Sequence, residues 1–243
     1  DWLALAERGV TAPEVVEWLR VEAVAARYGI DAASLDIVQA WLAQAGARRG
    51  LAHEAPAAGE GEGEGEPASQ AVAASRHTFA DALPRLFLGY AMPDDSDPLD
   101  AWLPVAGPRG ADAQLLGRLA CFIDDLYGFV RRSREPLNCD GWAALLADAL
   151  ARLFDPSPPF ADALASVRDA IEKALEAMRD GAREAQAPAA VMRAALTVAL
   201  DDAAHGGVPW GGVTFSSLTS LRGLPYRAIC LIGMDDGVLP SLA

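Results

Sequence analysis

Lysine is nearly missing from this sequence: Lys173 is the only one among 20 Lys and Arg residues. That scarcity excludes a nucleotide-binding loop of the form G-x-x-x-x-G-K-[ST]. Such a loop would have to end at Lys173, and Ser166 to Glu172 contain no glycine. Cysteine is also sparse. Cys121, Cys139 and Cys230 stand far apart with no C-x-x-C spacing, which predicts reduced thiols in a cytosolic protein and no zinc site. His53, His77 and His205 are equally scattered, and none has a partner at metal-ligand spacing, so each reads as a capped or surface residue. No apolar run reaches the roughly 18 residues of a membrane span, and no basic stretch precedes an apolar start.

What is present is a chain of 243 residues, 52% apolar and 22% charged, long enough for one large domain or two ordinary ones. Its net charge of −14 argues against a module devoted to nonspecific gripping of a phosphate backbone. Much of that charge is local, however. Residues 52–76 hold the run Gly59-Glu60-Gly61-Glu62-Gly63-Glu64-Gly65-Glu66, and with Glu54 its glutamates supply more than a third of the net charge. No large apolar side chain there offsets ordering entropy, so a low-complexity acidic surface loop is expected. The chain starts at Asp1 and stops at Ala243 just after an apolar segment, which predicts a piece of something longer.

The fold expected is mainly α. A helical hairpin region, 1–51, has a capping box at Thr11-Ala12-Pro13-Glu14 opening a helix through Val15, Leu19 and Val24 to Gly29. A second helix, opened by Asp31 or Ser34, carries Leu35, Val38, Trp41 and Leu42 to Gly46. A helical domain, 77–206, follows. Its helices are expected from near Asp81, because Pro84 suits a first turn, then over Ala111 to Arg132, from a cap at Asp140 to Leu153, over Phe160 to Arg179 and over Pro188 to Leu200. Six or seven helices in all are predicted. From 207 onward the pattern changes: Val213 to Ser217 and Ala228 to Ile232 read as two short buried strands of an incomplete α/β sheet.

The stretch Gly212-Val213-Thr214-Phe215-Ser216-Ser217-Leu218-Thr219-Ser220-Leu221-Arg222-Gly223-Leu224-Pro225, running on to Gly233-Met234-Asp235-Asp236-Gly237-Val238-Leu239-Pro240, resembles motif V of superfamily 1 helicases. A polar turn between two buried strands aims hydroxyls and backbone N–H groups at phosphate. Here Thr219 stands where that family has histidine, Arg222 where it has lysine, and Pro225 where it has glutamate. The degenerate pattern is similar to the RecC family, the gamma chain of exodeoxyribonuclease V. His77-Thr78-Phe79-Ala80-Asp81-Ala82-Leu83-Pro84-Arg85-Leu86-Phe87-Leu88-Gly89-Tyr90-Ala91-Met92 resembles that family's H-T-W-x-x-G-L-x-R-x-L-L-G-Y-A-M signature, with Phe79 for tryptophan and Ala82 for glycine. Val24 to Ile30, followed by Trp41 and the Ala45-Gly46 turn, resembles the helix pair before it.

The resemblance implies that the helical part is a 2B-like domain and that 207–243 begins a RecA-like 2A domain without a working ATP site. It implies a noncatalytic role in the bacterial, cytoplasmic complex that unwinds and degrades DNA ends in recombinational repair: splitting the duplex, guiding a single strand and scanning it for Chi. The expected partners are that DNA strand and RecB-like and RecD-like subunits, with no membrane. No cofactor is expected in this chain, since ATP and Mg²⁺ belong to the partner subunits, which also carry the hydrolase and exonuclease work. Ser217, Thr219, Ser220 and Arg222 are the expected strand contacts, and Asp236 with Asp235 follows the second strand, reading bases or shaping the turn at Gly237.

Each of these has a plainer reading as turn chemistry. Arg131, Arg132 and Arg134 end the long helix, where cations complement the helix dipole, and a structural role is preferred to a phosphate contact. Trp18, Trp41, Trp102 and Trp142 read as core, Trp210 as a residue that could stack on a base, and Asp124, Asp125, Asp201 and Asp202 as solvated. Two other classes stand beside the leading one: a fragment of an active superfamily 1 helicase, which Thr219 and Pro225 oppose, and a helical protein-interaction module.

Overall fold

The computed structural model describes residues 2–51, 76–93, 97–99, 102–182, 185–205 and 227–232. A short 3-10 turn over Trp2–Ala4 runs into α1 (Leu5–Arg8). Then come α2 (Ala12–Leu19), α3 (Glu22–Tyr28), α4 (Ala32–Ala45), α5 (Phe79–Ala91) and α6 (Asp112–Ser133). The helices α7 (Cys139–Leu153), α8 (Pro158–Ala182) and α9 (Ala189–His205) complete the described set. The chain is mainly α, as its apolar periodicity predicts. It divides into two compact units, Asp1–His205 and Gly206–Ala243.

In the first unit α6 is the central helix. Its apolar stripe, Leu115, Leu119, Phe122, Leu126 and Phe129 among others, is buried along its whole length. It packs against α1, α3, α4, α5 and α7, while α8 lies between α7 and α9. One core therefore joins residues from both sides of the acidic run: Val15, Val24 and Trp41 before it, Phe79, Leu86 and Trp142 after it. Trp142 is wholly buried and its indole Nε1 donates to the Ala187 carbonyl at 2.9 Å, tying α7 to the strap before α9. Trp41 is core as expected, Trp18 is partly buried with Trp2 at 5.7 Å, and Trp102 is half-buried.

Several helix boundaries differ from the expectation, each for a local reason. The single helix expected from Thr11 to Gly29 breaks at Arg20–Val21, where Val21 is extended (φ −65°, ψ 117°). Leu19 and Val24 are five residues apart, which on a straight helix would place them about 140° apart around the axis. The break lets both be buried. α5 starts at Phe79, not Asp81, because Thr78 Oγ1 accepts from the Asp81 N–H at 3.1 Å. Pro84 consequently sits inside the helix and not in its first turn. The cap of α7 is Asn138, whose side chain accepts from the Gly141 N–H at 2.8 Å, and not Asp140. α8 and α9 both extend beyond the expected spans, and residues 2–8 form helical turns that the periodicity did not suggest.

The pair of strands is the substantive correction. No strand occurs among the described residues. Residues 227–232 carry no regular structure and make no ladder, and Ile229, Leu231 and Ile232 are 70%, 54% and 79% exposed. A strand exists through the backbone groups of its neighbours, so an apolar β-branched run alone is insufficient to make one. The other expected strand, 213–217, lies outside the described residues.

One close approach fixes the connection between α5 and α6. The Val105 N–H donates to the Arg85 carbonyl at 3.0 Å, and the Arg85 Nε donates to Leu103 O at 3.0 Å. This brings the Val105 carbonyl so near Gly89 that a Cβ added there would sit 1.9 Å from its oxygen.

Candidate nucleic-acid interface

Ser217, Thr219, Ser220, Arg222 and Asp236, together with Asp235 and Trp210, lie outside the described residues. The arginines at the end of α6, by contrast, have defined surroundings. Arg131 lies over the Tyr127 ring, 5.8 Å from its centroid. Arg132 donates from Nε to Gly128 O at 3.2 Å and pairs with Asp148. These are contacts that close and brace a helix terminus, in line with the structural reading.

Asp148 is one node of an ion-pair lattice joining α3, α6 and α7. Arg152 donates to it from Nε at 2.8 Å and also reaches Asp125 at 3.5 Å. Hydrogen bonds from Arg152 and then Arg132 hold the Asp148 carboxyl below its ordinary range. Asp125, expected to be merely solvated, also accepts from the Tyr28 hydroxyl at 2.8 Å. Burial first, and then this bond to Asp125, push the Tyr28 phenol well above the usual tyrosine range. Arg27 adds a bond from Nε to Arg152 O at 2.9 Å. Arg27, Arg132 and Arg152 are thus each engaged with a partner inside the protein and do not form a free basic surface.

A different corner is unsaturated. The segments 9–12, 46–51 and 76–79 meet at the N-terminal end of α5, stitched by backbone bonds. Gly50 N–H donates to Val10 O at 2.8 Å, Ala12 N–H to Arg48 O at 2.9 Å, and Phe79 N–H to Gly50 O at 2.9 Å. Thr11 and Arg49 form an isolated antiparallel bridge. The His77 carbonyl accepts from both Arg48 N–H (2.8 Å) and Arg49 N–H (3.2 Å). His77 itself has φ 67°, the one positive-φ residue other than glycine among the described residues. A side chain in that region costs on the order of 1–2 kcal/mol and is held there by its surroundings. Its Nδ1 lies 3.0 Å from the Gly46 carbonyl, which can only accept, so Nδ1 carries the proton. Gly46 has φ 71°, and any Cβ there would come within 3.3 Å of that Nδ1.

Four exposed basic residues, Arg48, Arg49, Arg76 and His77, are thereby brought together along the backbone at one corner. The guanidinium groups of the three arginines have no hydrogen-bond or ion-pair partner among the described residues. Two described carboxylates beside the corner, Glu14 and Asp81, are engaged elsewhere. Glu14 accepts from the Thr11 hydroxyl (2.8 Å) and backbone (3.0 Å) and pairs with Arg8. Burial works against its ionisation, yet Thr11 and Arg8 together keep its pKa below normal. Asp81 pairs with Arg85 at 3.4 Å. Sequence reasoning missed this corner because it treated His77 as isolated. The readable signal was the pair of basic doublets, Arg48-Arg49 and Arg76-His77, that flank the acidic run.

Beside the corner, α5 and α6 enclose an open groove of about 380 Å³ lined by Leu51, Ala80, Leu83, Ile123, Asp124 and Tyr127. Its wall is apolar with one carboxylate, which suits no phosphate. Among the described residues no three His, Cys, Asp or Glu side chains are grouped to hold a metal, and no helix is long and apolar enough to cross a membrane.

Comparison with known proteins gives one consistent result. The family model described as RecBCD enzyme subunit RecC fourth domain matches residues 1–204. Curated relatives include the RecBCD enzyme subunit RecC of Escherichia coli (strain K12), 27% identical over 98% of this chain, and that of Haemophilus influenzae, 25% identical over 98%. The RecC subunit of Mycolicibacterium smegmatis is 29% identical over 99% of the chain. The chain spans about a fifth of the length of these relatives (20%, 20% and 21%).

Proposed function

Since this chain belongs to the RecC family, in the region of its fourth domain, we propose that it serves as a rigid helical part of a noncatalytic, DNA-guiding subunit in a RecBCD-type complex. The observation that carries the reading is the family match over residues 1–204, which covers α1 to α8 and all of α9 but its last residue. The relatives are named as subunits of the RecBCD enzyme, so RecB-like and RecD-like partners are the natural associates.

In this reading the helices do mechanical work by holding shape. α6 is gripped on several sides, and the lattice of Tyr28, Asp125, Asp148 and Arg152 locks three helices together. A wall that separates or steers strands needs such stiffness, because contacts made by a yielding surface lose their geometry. ATP and Mg²⁺ are assigned to the partner subunits, since the single lysine gives this chain no phosphate-cradling loop of its own. Ser217, Thr219, Ser220, Arg222 and Asp236 remain the proposed strand contacts of the degenerate motif, scanning for Chi is proposed as the parent's task, and the bacterial cytoplasm as its compartment.

The test is an ATPase assay on the full-length subunit alone and after assembly with its partners, with and without DNA ends. DNA-stimulated turnover is expected only in the assembly. Robust turnover by the subunit alone would overturn the noncatalytic reading in favour of an active helicase.

A further inference from the structure

We propose that the corner formed by Arg48, Arg49, Arg76 and His77 is a phosphate-binding site for the backbone of single-stranded DNA. The inference rests on the DNA-guiding reading and deepens it by naming a contact surface in the helical unit, built from residues other than those of motif V.

Three observations converge. First, three exposed arginines without a partner among the described residues lie within two peptide units of a single carbonyl oxygen, that of His77. Among the described residues these guanidinium groups have no carboxylate partner, and like charges carried on neighbouring backbone positions favour a polyanionic ligand. Second, two described acids beside the corner are already committed: Glu14, next to the Thr11–Arg49 bridge, to Thr11 and Arg8, and Asp81, four residues after His77, to Arg85. Third, the corner is rigid and strained. His77 is held at φ 67° by two N–H donors on its carbonyl and by its Nδ1 bond to Gly46. Strain maintained at an exposed polar residue is characteristic of sites where geometry serves a ligand.

The ring bond also settles which nitrogen faces a ligand. With Nδ1–H committed to Gly46 O, Nε2 is the nitrogen left for an outside partner. Arginine forks match phosphate oxygens in pairs, and contacts to phosphate position a strand without carrying sequence information. The site is therefore one that positions a strand without specifying its sequence.

The experiment uses the full-length subunit assembled with its partner subunits and a fluorescent oligothymidine strand, with binding followed by anisotropy at several salt concentrations. Each phosphate contact on a single strand contributes about 0.7 to the slope of log affinity against log salt. The triple variant Arg48→Gln, Arg49→Gln, Arg76→Gln is expected to flatten that slope by about two and to weaken binding on the order of a hundredfold at 0.1 M salt. The charge-keeping triple of Arg→Lys at the same positions should retain the slope. A control triple on α8, Arg168→Gln, Lys173→Gln and Arg179→Gln, removes equal charge and should leave it unchanged. Equal flattening by both Gln triples would overturn the proposal as a global charge effect, and an unchanged slope in the first triple would overturn it outright. Failure of the unmodified assembly to bind the strand would overturn the DNA-guiding reading itself and this site with it.

Discussion

Alanine at Gly89 and alanine at Gly117 or Gly128 are the same chemical change made in helix interiors, yet the structure gives them opposite signs. At Gly117 and Gly128, both in α6, a Cβ meets nothing within 4 Å. Relative to glycine, alanine there gains its helix propensity, about 0.5–1 kcal/mol. At Gly89 the same methyl would fall 1.9 Å from Val105 O and 2.6 Å from Val105 C, and those are backbone atoms that cannot swing aside. Relief requires moving residues 103–105, which sacrifices the bonds from Val105 N–H to Arg85 O and from Arg85 Nε to Leu103 O. Overpacking costs about 1–3 kcal/mol and each lost hydrogen bond about 1 kcal/mol, against about 1 kcal/mol of propensity returned. The expected net is a loss of about 2–4 kcal/mol. Urea unfolding of this chain, followed by far-UV circular dichroism, tests it. With a slope of about 3 kcal/mol per molar, the Gly89→Ala midpoint should fall by about 1 M, and each of Gly117→Ala and Gly128→Ala should rise by about 0.2–0.3 M. A Gly89→Ala midpoint equal to or above the parent would refute the packing argument at its root.

Three further outcomes are expected. Trp142→Phe loses the bond to Ala187 O, but that carbonyl still accepts from Leu137 N–H at 3.1 Å, so the cost should stay near 2 kcal/mol, read from the urea midpoint. In an alkaline titration monitored by tyrosinate absorbance, Tyr28 should ionise after the other tyrosines, and Tyr28→Phe should remove that last step. Asp148 has a folded pKa below its unfolded one, so its contribution to stability is present above about pH 4 and lost as pH falls through the folded value. Asp148→Asn should therefore flatten the acid limb of a stability profile below about pH 4, modestly because the pair is partly exposed.

Local signals in the sequence carried most of the helical architecture. Thr11 with Glu14 and Asp31 with Ser34 are caps whose chemistry is complete within four residues, and both were readable. The long stripe of α6 was equally plain, because one face repeats over six turns. What escaped notice depended on tertiary partners. The break at Val21 serves the burial of Val24 and Tyr28, and the interior position of Pro84 follows from the cap at Thr78. The run from Ala228 to Ile232 has strand composition, but composition supplies no neighbour. The basic corner was least legible of all. Its members sit 27 residues apart in the chain, from Arg49 to Arg76, and only the folded backbone brings the two doublets to one carbonyl.

The stitching between 48–50 and 77–79 holds the backbone on either side of residues 52–75 at almost the same point. Whatever lies between two such pinned ends is thermodynamically cheap to lengthen, since doubling a closure of this kind costs only about 0.6 kcal/mol. Natural variation in this lineage can thus insert or delete whole tracts at that position while the helices on either side keep their register. Such a seam is also a practical place to graft a tag or a fluorophore.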